Sequence, residues 1–208
     1  MVIVLKADTE MQKQFFAKNL SDGHTLIIKG PGEPLAVSGA DVYFDLSFNE
    51  THLEQNEFIN DVPVFINAVS STCFGINHKN YIRLNAWPGF FERSVAELAC
   101  TDETYKQKAS AIYDELGWKY IWVNDDHGLV SARVISMIIN EAYFAYGEGV
   151  STKQEIDTAM KLGTNYPFGP FEWAEQIGLQ NVYSLLKKLT AANSRYQIAP
   201  ALIKEVKQ

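Results

Sequence analysis

The arrangement of apolar residues changes near residue 125, and this change constrains the fold more than any other feature of the sequence. Before it, short runs of β-branched and aromatic residues alternate with stretches of helical periodicity, a pattern typical of an α/β layer fold. After it, apolar residues recur at helical spacing and no strand pattern is found. The sequence therefore predicts an α/β domain over residues 1–124 and an all-helical domain over residues 125–208.

Turn residues and caps set the predicted boundaries within each half. In the first half, Asp8 or Thr9 can cap a helix that Ser21-Asp22-Gly23 ends, and Thr101-Asp102-Glu103 opens a second helix that Gly117 closes. The predicted strands cover residues 2–5, 25–28, 42–48, 63–67, 81–87 and 118–123. The later helices are predicted over residues 129–146, 151–163, 171–177, 182–190 and 200–207, and the first is apolar on more than one face, as in a buried or interfacial helix.

Charge and cysteine usage exclude several classes of partner. The formal net charge of −7 argues against nucleic acid and against an anionic membrane surface, since both need clustered Lys and Arg. Cys73 and Cys100 stand outside any Cys-x-x-Cys or Cys/His cluster, which argues against zinc and a disulfide framework. The N-terminal residues lack a signal-peptide pattern, and no uncharged stretch reaches the ~18 residues of a membrane span. We therefore expect a cytoplasmic protein with two reduced thiols.

Three motifs in the helical half carry a family resemblance. They read DHGLVSAR at 126–133, IDTAMKLG at 156–163 and YPFGPFE at 166–172, with Asn-Glu-Ala at 140–142 between the first two. This series resembles the C-terminal domain of the 3-hydroxyacyl-CoA dehydrogenases, where the motifs read D-x-P-G-F-x-x-N-R, E-A, I-D-x-A-M-x-x-G and Y-P-x-G-P-F-E. The match extends over about fifty residues without a gap.

The resemblance implies a fold and a set of partners. It implies a Rossmann-like α/β domain, here shortened, followed by an all-α domain like that of 6-phosphogluconate dehydrogenase, and a homodimer formed through the helical domain. It also implies NAD as cofactor and a 3-hydroxyacyl-CoA as substrate in fatty-acid metabolism. Tyr166 and Pro167 are candidates for substrate binding, although their Pro- and Gly-rich turn suits a structural or dimer-forming role equally well.

The expected dinucleotide-binding turn departs from the family pattern. The family has G-x-G-x-x-G after its first strand, whereas this chain has Lys6-Ala7-Asp8-Thr9-Glu10-Met11-Gln12 and no glycine before Gly23. Asp8 and Glu10 also place negative charge where the pyrophosphate would lie. Gly30-Pro31-Gly32 comes too late, and Gly147-Glu148-Gly149 lies in the helical half. We therefore predict no cofactor-binding residues and no bound cofactor, with NAD only if the family activity survives.

The catalytic stretch departs as well. Glu97 occupies the family position of the glutamate that orients the catalytic histidine, but twelve residues earlier Asn85 occupies the histidine position. An amide can form a hydrogen bond with a carbonyl but cannot act as a base near neutral pH. Pro88 and Ala132 replace two asparagines that contact substrate in the family. Ser70 is retained, at the position of the serine that binds the substrate oxygen, so Ser70, Asn85 and Glu97 are the candidate site residues.

None of the four histidines supplies an evident replacement base. His78 lies in a loop that could reach the same cleft, but a solvated loop residue explains it equally. His127 replaces the proline of D-x-P-G and is interpreted as a polar residue of the domain junction. His24 and His52 stand outside any motif, no G-x-S-x-G sequence supports a serine hydrolase, and no spacing supports a metal site.

Three functions stay open at this point. The first is an active NAD-dependent 3-hydroxyacyl-CoA dehydrogenase. The second, favoured by four departures that affect one reaction, is a catalytically impaired dimer that binds an acyl-CoA-like ligand or serves as a subunit of a complex. The third is a different reaction in the inherited cleft, using Glu97 and Ser70. Because 208 residues are few for two domains of this family, we expect the α/β half to be the trimmed one.

Overall fold

The computed structural model describes residues 1–20, 22–49 and 61–208, and it divides into two compact units. The first unit is Met1–Leu129 and the second is Val130–Gln208. The sequence suggested a boundary between residues 124 and 125. The division falls later because residues 125–128 are hydrogen-bonded to the first unit: Arg83 donates to the carboxylate of Asp125, and the N–H of Gly128 donates to the carbonyl of Val69.

The first unit is an α/β unit built on one twisted sheet. Within the described residues the sheet has seven strands in the order β2-β1-β3-β4-β5-β6-β7. Every neighbouring pair is parallel except β5 and β6. The elements in chain order are β1 (Val2–Lys6), α1 (Thr9–Ala17), β2 (Thr25–Lys29), β3 (Val42–Asp45), β4 (Val64–Asn67), α2 (Cys73–Ile76), β5 (Tyr81–Leu84), β6 (Val95–Ala99), α3 (Glu103–Glu115) and β7 (Lys119–Trp122).

The strand order creates a switch point beside β1. The chain runs from β1 outward to β2 and then crosses back, so that β3 lies on the other side of β1. In open parallel sheets, ligands bind outside the carboxyl ends of the strands at such a reversal. The carboxyl ends of β1, β3, β4 and β5 are therefore the edge at which a functional site is expected.

An aromatic cluster joins α1 to the sheet. The ring of Phe15 on α1 lies 5.3 Å from Phe44 on β3, 5.9 Å from Phe91 and 5.4 Å from Trp118, measured between ring centroids. Phe15 and Phe44 are fully buried. Such aromatic pairs add to the stabilisation that burial of apolar area provides. The cluster fixes α1, and with it the turn between β1 and α1.

Strand β6 was not among the predicted strands, and the sequence explains why. Val95-Ala96-Glu97-Leu98-Ala99 contains two alanines and a glutamate, which are depleted in strands. Tertiary pairing overrides this weak local preference, since β6 pairs with β5 on one side and with β7 on the other. The strand predicted over 81–87 is also shorter in the structure, because β5 ends at Leu84.

The second unit is all-helical, as predicted. Residues 130–208 are described throughout and contain no strand. The helices are α4 (Ser131–Gly147), α5 (Lys153–Thr164), α6 (Pro170–Ile177), α7 (Leu179–Ala192) and α8 (Pro200–Val206), with a short 3-10 turn at Ser194–Tyr196. Helix α4 packs against α6, α7 and α8 around the fully buried Ile139, Leu185 and Leu202. No helix of the described residues combines the length and the apolar character that a membrane crossing requires.

One carboxylate joins the second and third motifs of the helical half, IDTAMKLG and YPFGPFE. Asp157 on α5 is buried and accepts hydrogen bonds from the N–H groups of Phe171 (2.8 Å) and Glu172 (3.2 Å) at the start of α6. Gly169 has no room for a side chain, because a methyl group there would overlap the Asp157 carboxylate. Glu172 lies in the first turn of α6, as predicted, and accepts from the N–H of Gly169 (2.8 Å). These motif residues are therefore explained by helix capping.

Candidate functional site

The candidate site lies at the carboxyl edge of β4 and β5 in the first unit. These strands are parallel and pair Asn67 with Leu84, so Ser70 and Asn85 follow at the same edge. The side chain of Asn67 connects the strand ends, because its Nδ2 donates to the carbonyl of Leu46 (3.3 Å) and its Oδ1 accepts from the N–H of Ala86 (3.0 Å). The sequence analysis did not single out Asn67, although a polar residue that ends an apolar strand at this edge was an available signal.

Asn85 and Glu97 adjoin the last pair of the β5–β6 ladder. Strand β6 runs antiparallel to β5 and pairs Leu98 with Leu84; Asn85 is the residue after Leu84, and Glu97 is the residue before Leu98. Asn85 is 8% exposed and its Oδ1 accepts a hydrogen bond from the N–H of Trp87 (3.1 Å). The amide oxygen is thus held by the local backbone, which also ends the strand.

A cation lies near Glu97. Partial burial lowers the pKa of the Arg93 guanidinium, and the negative charge of Glu97 opposes part of this shift. The guanidinium of Arg93 also stacks 3.8 Å from the ring centroid of Phe90. The sequence analysis missed Arg93, although a basic residue four positions before Glu97 was a signal for a charge partner.

The loop that carries Ser70 has a fixed backbone. The carbonyl of Ser70 lies 2.7 Å from Nδ1 of His127, and the carbonyl of Val69 accepts from Gly128 N–H (2.8 Å) and from Nη2 of Arg83 (3.2 Å). Arg83 also donates through Nε to the carbonyl of Ala68 (2.9 Å). His127, interpreted from the sequence as a polar junction residue, therefore lies beside the predicted Ser70 position.

Arg83 is a fully buried cation at the centre of this arrangement. Its Nη1 lies 2.5 Å from Oδ1 of Asp125. Asp125 also accepts from the N–H groups of Cys73 (2.8 Å) and Phe74 (3.1 Å). Burial acts to raise the pKa of Asp125, but these N–H groups and the Arg83 guanidinium outweigh it and lower that pKa. A lone arginine in an apolar strand was the signal that could have identified Arg83, since buried charges require partners.

The other described histidines and the cysteines do not supply a base or nucleophile at this edge. His78 is exposed and precedes β5, so it lies at the amino end of the strand that Asn85 follows; its ring stacks on Tyr81 at 4.7 Å. His24 precedes β2 and lies at the amino edge of the sheet, and His52 falls outside the described residues. Burial raises the pKa of Cys73 to about 12, so its thiol stays protonated.

A second buried carboxyl lies at the switch point. Asp45 ends β3 opposite Lys6 of β1 and is 2% exposed. Within the described part of the chain its Oδ1 has no hydrogen-bond partner. Burial raises its pKa to about 6, against the opposing effects of Lys6 and of the Ser47 N–H. The sequence analysis missed Asp45, whose signal was a single acid within the predicted strand over residues 42–48.

The turn between β1 and α1 does not fit the pyrophosphate of the cofactor that the resemblance implies. Asp8 is the N-cap of α1, and its Oδ1 accepts from the N–H of Met11 (2.8 Å). Glu10 adds a second carboxylate to the first turn, where it pairs with Lys13 at 2.8 Å. A pyrophosphate at this position needs unoccupied N–H groups and no competing anion. No group of three or more potential metal ligands occurs among the described residues either.

Tyr166 and Pro167 belong to the second unit. The ring of Tyr166 is partly buried, 5.5 Å from the ring of Trp173, and Pro167 is exposed. Pro167 and Phe168 line a surface hollow together with Lys161 and Glu172, which form an ion pair. The predicted substrate-binding role of Tyr166 and Pro167 stays a prediction.

Comparisons with known proteins agree with this fold. The model of the family "3-hydroxyacyl-CoA dehydrogenase, C-terminal domain" matches residues 128–207. The 3-hydroxyadipyl-CoA dehydrogenase of Escherichia coli is 38% identical over 96 residues, which are 46% of this chain and 20% of that protein. A probable 3-hydroxybutyryl-CoA dehydrogenase of Bacillus subtilis is 39% identical over 112 residues, which are 53% of this chain and 39% of that protein.

The crystal structure of the (S)-3-hydroxybutyryl-CoA dehydrogenase of Ralstonia eutropha has the same fold. It matches with a TM-score of 0.80 at 19% identity, over 99% of this chain and 93% of that chain. The molecule thus has the fold of a Rossmann-like α/β unit followed by an all-helical unit. Residues 128–207 of the helical unit are similar to the C-terminal domain of the 3-hydroxyacyl-CoA dehydrogenases. The matches cover 20% and 39% of the lengths of the two curated relatives.

Proposed function

We propose that this chain is a family member whose dehydrogenase chemistry is lost or strongly impaired, and that it acts as a dimeric protein that binds an acyl-CoA-like ligand or serves as a subunit of a complex. One observation supports the proposal: an amide, Asn85, follows β5 at the carboxyl edge of the sheet, at the position where the family pattern has its catalytic base. Oxidation of a 3-hydroxyl group needs a group that takes the hydroxyl proton as hydride leaves. Asn85 has no such capacity near neutral pH.

Ligand binding does not need this base. The loop of Ser70 is held by Arg83, His127 and Gly128, so its hydroxyl group is attached to a backbone that is ordered before any ligand arrives. Preorganised polar groups bind a ligand at a lower entropic cost. The Ser70 hydroxyl and the Asn85 Nδ2 are the donors that we expect to contact the carbonyl oxygen of an acyl thioester.

Apolar side chains on the helical unit support the dimer. Val134, Val150 and Leu162 are 54%, 70% and 82% exposed, and Phe168 is 39% exposed. Exposed large apolar side chains of this kind can contribute to an interaction surface. Sedimentation at micromolar concentration should show a dimer, and a strict monomer would contradict this part of the proposal.

The activity test separates the proposal from its alternative, an active NAD-dependent 3-hydroxyacyl-CoA dehydrogenase, which the retained Ser70 and Glu97 favour. We expect no formation of NADH from 3-hydroxybutyryl-CoA above the rate in buffer. Turnover well above the rate in buffer would show that the chain is an active dehydrogenase, provided that Glu97→Ala abolishes it. Glu92→Ala, on the adjoining exposed loop, is the control and should leave this turnover intact.

The binding test uses acetoacetyl-CoA in a calorimetric titration. We expect saturable binding that Ser70→Ala weakens about tenfold, the loss of one to two hydrogen bonds to a buried group. Ser194→Ala, an exposed serine of the helical unit, is the matched control and should leave the affinity unchanged. Equal affinity in both variants would refute the assignment of Ser70 as a ligand contact.

A further inference from the structure

The first turn of α1 is the place where this unit could hold a phosphate. Helix α1 begins directly after β1, at the switch point of the parallel sheet. The first N–H groups of any α-helix lack partners within the helix and form its positive end. An anion that approaches the carboxyl edge of β1 would therefore meet these groups first.

The chain places its own anion there. The Asp8 carboxylate accepts from the N–H of Met11 at 2.8 Å, with the extended backbone that an N-cap requires. Two further bonds hold this arrangement: the N–H of Gln12 donates to the carbonyl of Asp8 (2.9 Å), and Nε2 of Gln12 donates to the carbonyl of Ala7 (3.0 Å). The carboxylate thus occupies one N–H group and neutralises part of the positive charge at the start of the helix.

The backbone of the turn gives a second, independent obstacle. None of the residues from Lys6 to Ala17 has a positive φ, so the turn follows a path that any L-residue adopts. Ala7 is fully buried, and its N–H is already bonded to the carbonyl of Lys29 (3.1 Å). A phosphate-binding turn needs glycines so that the backbone turns tightly and approaches the ligand.

We infer that Asp8 is the chain's internal substitute for a phosphate, and that the β1–α1 turn therefore rejects phosphate groups, including those of a dinucleotide. The inference goes beyond the proposed function, because it concerns a different position from Asn85 and Glu97. It makes no statement about an acyl-CoA held at the Ser70 edge. Glu10 is not the principal determinant, since Lys13 neutralises it at 2.8 Å.

Two variants of Asp8 test the inference. Asp8→Asn keeps the shape and the capping oxygen and removes only the charge, since Asn and Asp are equally good N-caps. Asp8→Gly removes the side chain as well, and glycine is a well-tolerated N-cap residue. Asp114→Asn is the control, because it removes the same charge from an exposed position on α3. Each protein is titrated with ADP by calorimetry and with NADH by fluorescence.

We expect no saturable binding of ADP or NADH by the wild-type chain or by Asp114→Asn. Asp8→Asn should give saturable binding of ADP, and Asp8→Gly should bind ADP with a lower Kd than Asp8→Asn. Saturable micromolar binding of either nucleotide by the wild-type chain would overturn the inference. It would also be overturned if both folded Asp8 variants matched the control. Acetoacetyl-CoA titrations of the same proteins should be unchanged, which separates this inference from the proposed function.

Discussion

Asp45 gives a prediction whose magnitude follows from the structure. The carboxyl group is 2% exposed at the end of β3, and burial raises its pKa from 3.8 to about 6. At 1.36 kcal/mol per pKa unit, this difference corresponds to about 3 kcal/mol between the protonated and the ionised group in the folded protein. The ionised form is the unfavourable one, because within the described residues Oδ1 lacks a partner.

The sign of the pH dependence follows from the raised pKa. Below about pH 4 the carboxyl group is protonated in both the folded and the unfolded chain, and Asp45 has no ionisation penalty. Between about pH 4 and pH 6 the unfolded chain releases the proton while the folded chain keeps it, so the free energy of unfolding falls as the pH rises. Above about pH 7 the whole penalty is present.

Asp45→Asn removes this titration while keeping the shape of the side chain. We expect the variant to gain stability relative to the wild-type chain as the pH rises, by about 2 kcal/mol more at pH 7.5 than at pH 4. Comparing the two pH values cancels any constant cost of burying the amide. Asp114→Asn, at an exposed position, is the control and should show no such difference.

Urea denaturation followed by tryptophan fluorescence can measure this effect for the first compact unit alone. Three of the four tryptophans, Trp87, Trp118 and Trp122, lie in the first unit, so a Trp173→Phe background restricts the signal to that unit. The reasoning is refuted if Asp45→Asn and its parent differ by the same free energy at pH 4 and at pH 7.5. That result would mean that Asp45 has an ordinary pKa in the folded protein.

Three further predictions follow from buried contacts. Gly169→Ala should destabilise the helical unit by about 3 kcal/mol in thermal unfolding, since the new methyl group displaces the Asp157 carboxylate. Adding Asp157→Ala should recover part of this loss, and additive losses in the double variant would exclude the clash. Arg83→Met should cost the first unit about 3 kcal/mol in urea unfolding, because Asp125 loses its buried partner, and a loss under 1 kcal/mol would contradict this. Because the pKa of Asp125 is lowered, the ionised carboxylate stabilises the folded chain above about pH 4, and this stabilisation is lost as the pH falls. In an acid titration, the free energy of unfolding of Asp125→Asn should therefore fall less steeply with decreasing pH than that of the wild-type chain.

The helical half could be predicted well from sequence because its motifs encode contacts between neighbouring elements. Asp157 and Gly169 constrain each other through one contact, so both residue types and their spacing are visible in the chain. The helices themselves are local structures with a clear apolar period. Prediction failed where tertiary pairing decides: β6 contains two alanines and a glutamate, and only its neighbours β5 and β7 make it a strand.

For the candidate site, too, the sequence predicts some residues and misses others. Alignment with the family pattern predicts Ser70, Asn85 and Glu97 as site residues, and these stay predictions; the structure places Asn85 and Glu97 next to the Leu84–Leu98 pair of β5 and β6. A lone arginine in an apolar strand signalled that Arg83 is a buried charge, but its partners could not be predicted, because they come from two loops that are distant along the chain. Asp45 posed the same difficulty, since its raised pKa depends on burial, which a strand pattern alone does not give.

The retention of Glu97 does not by itself argue for catalysis. In a dehydrogenase, this glutamate stabilises a protonated histidine, and with Asn85 in place no such cation forms. The negative charge of Glu97 acts instead on Arg93, where it opposes part of the lowering of the guanidinium pKa that burial causes. Glu97 therefore has an electrostatic role that is independent of any reaction. It follows that a loss of ligand binding in Glu97→Ala has a structural explanation, and that only turnover in the wild-type chain can demonstrate catalysis.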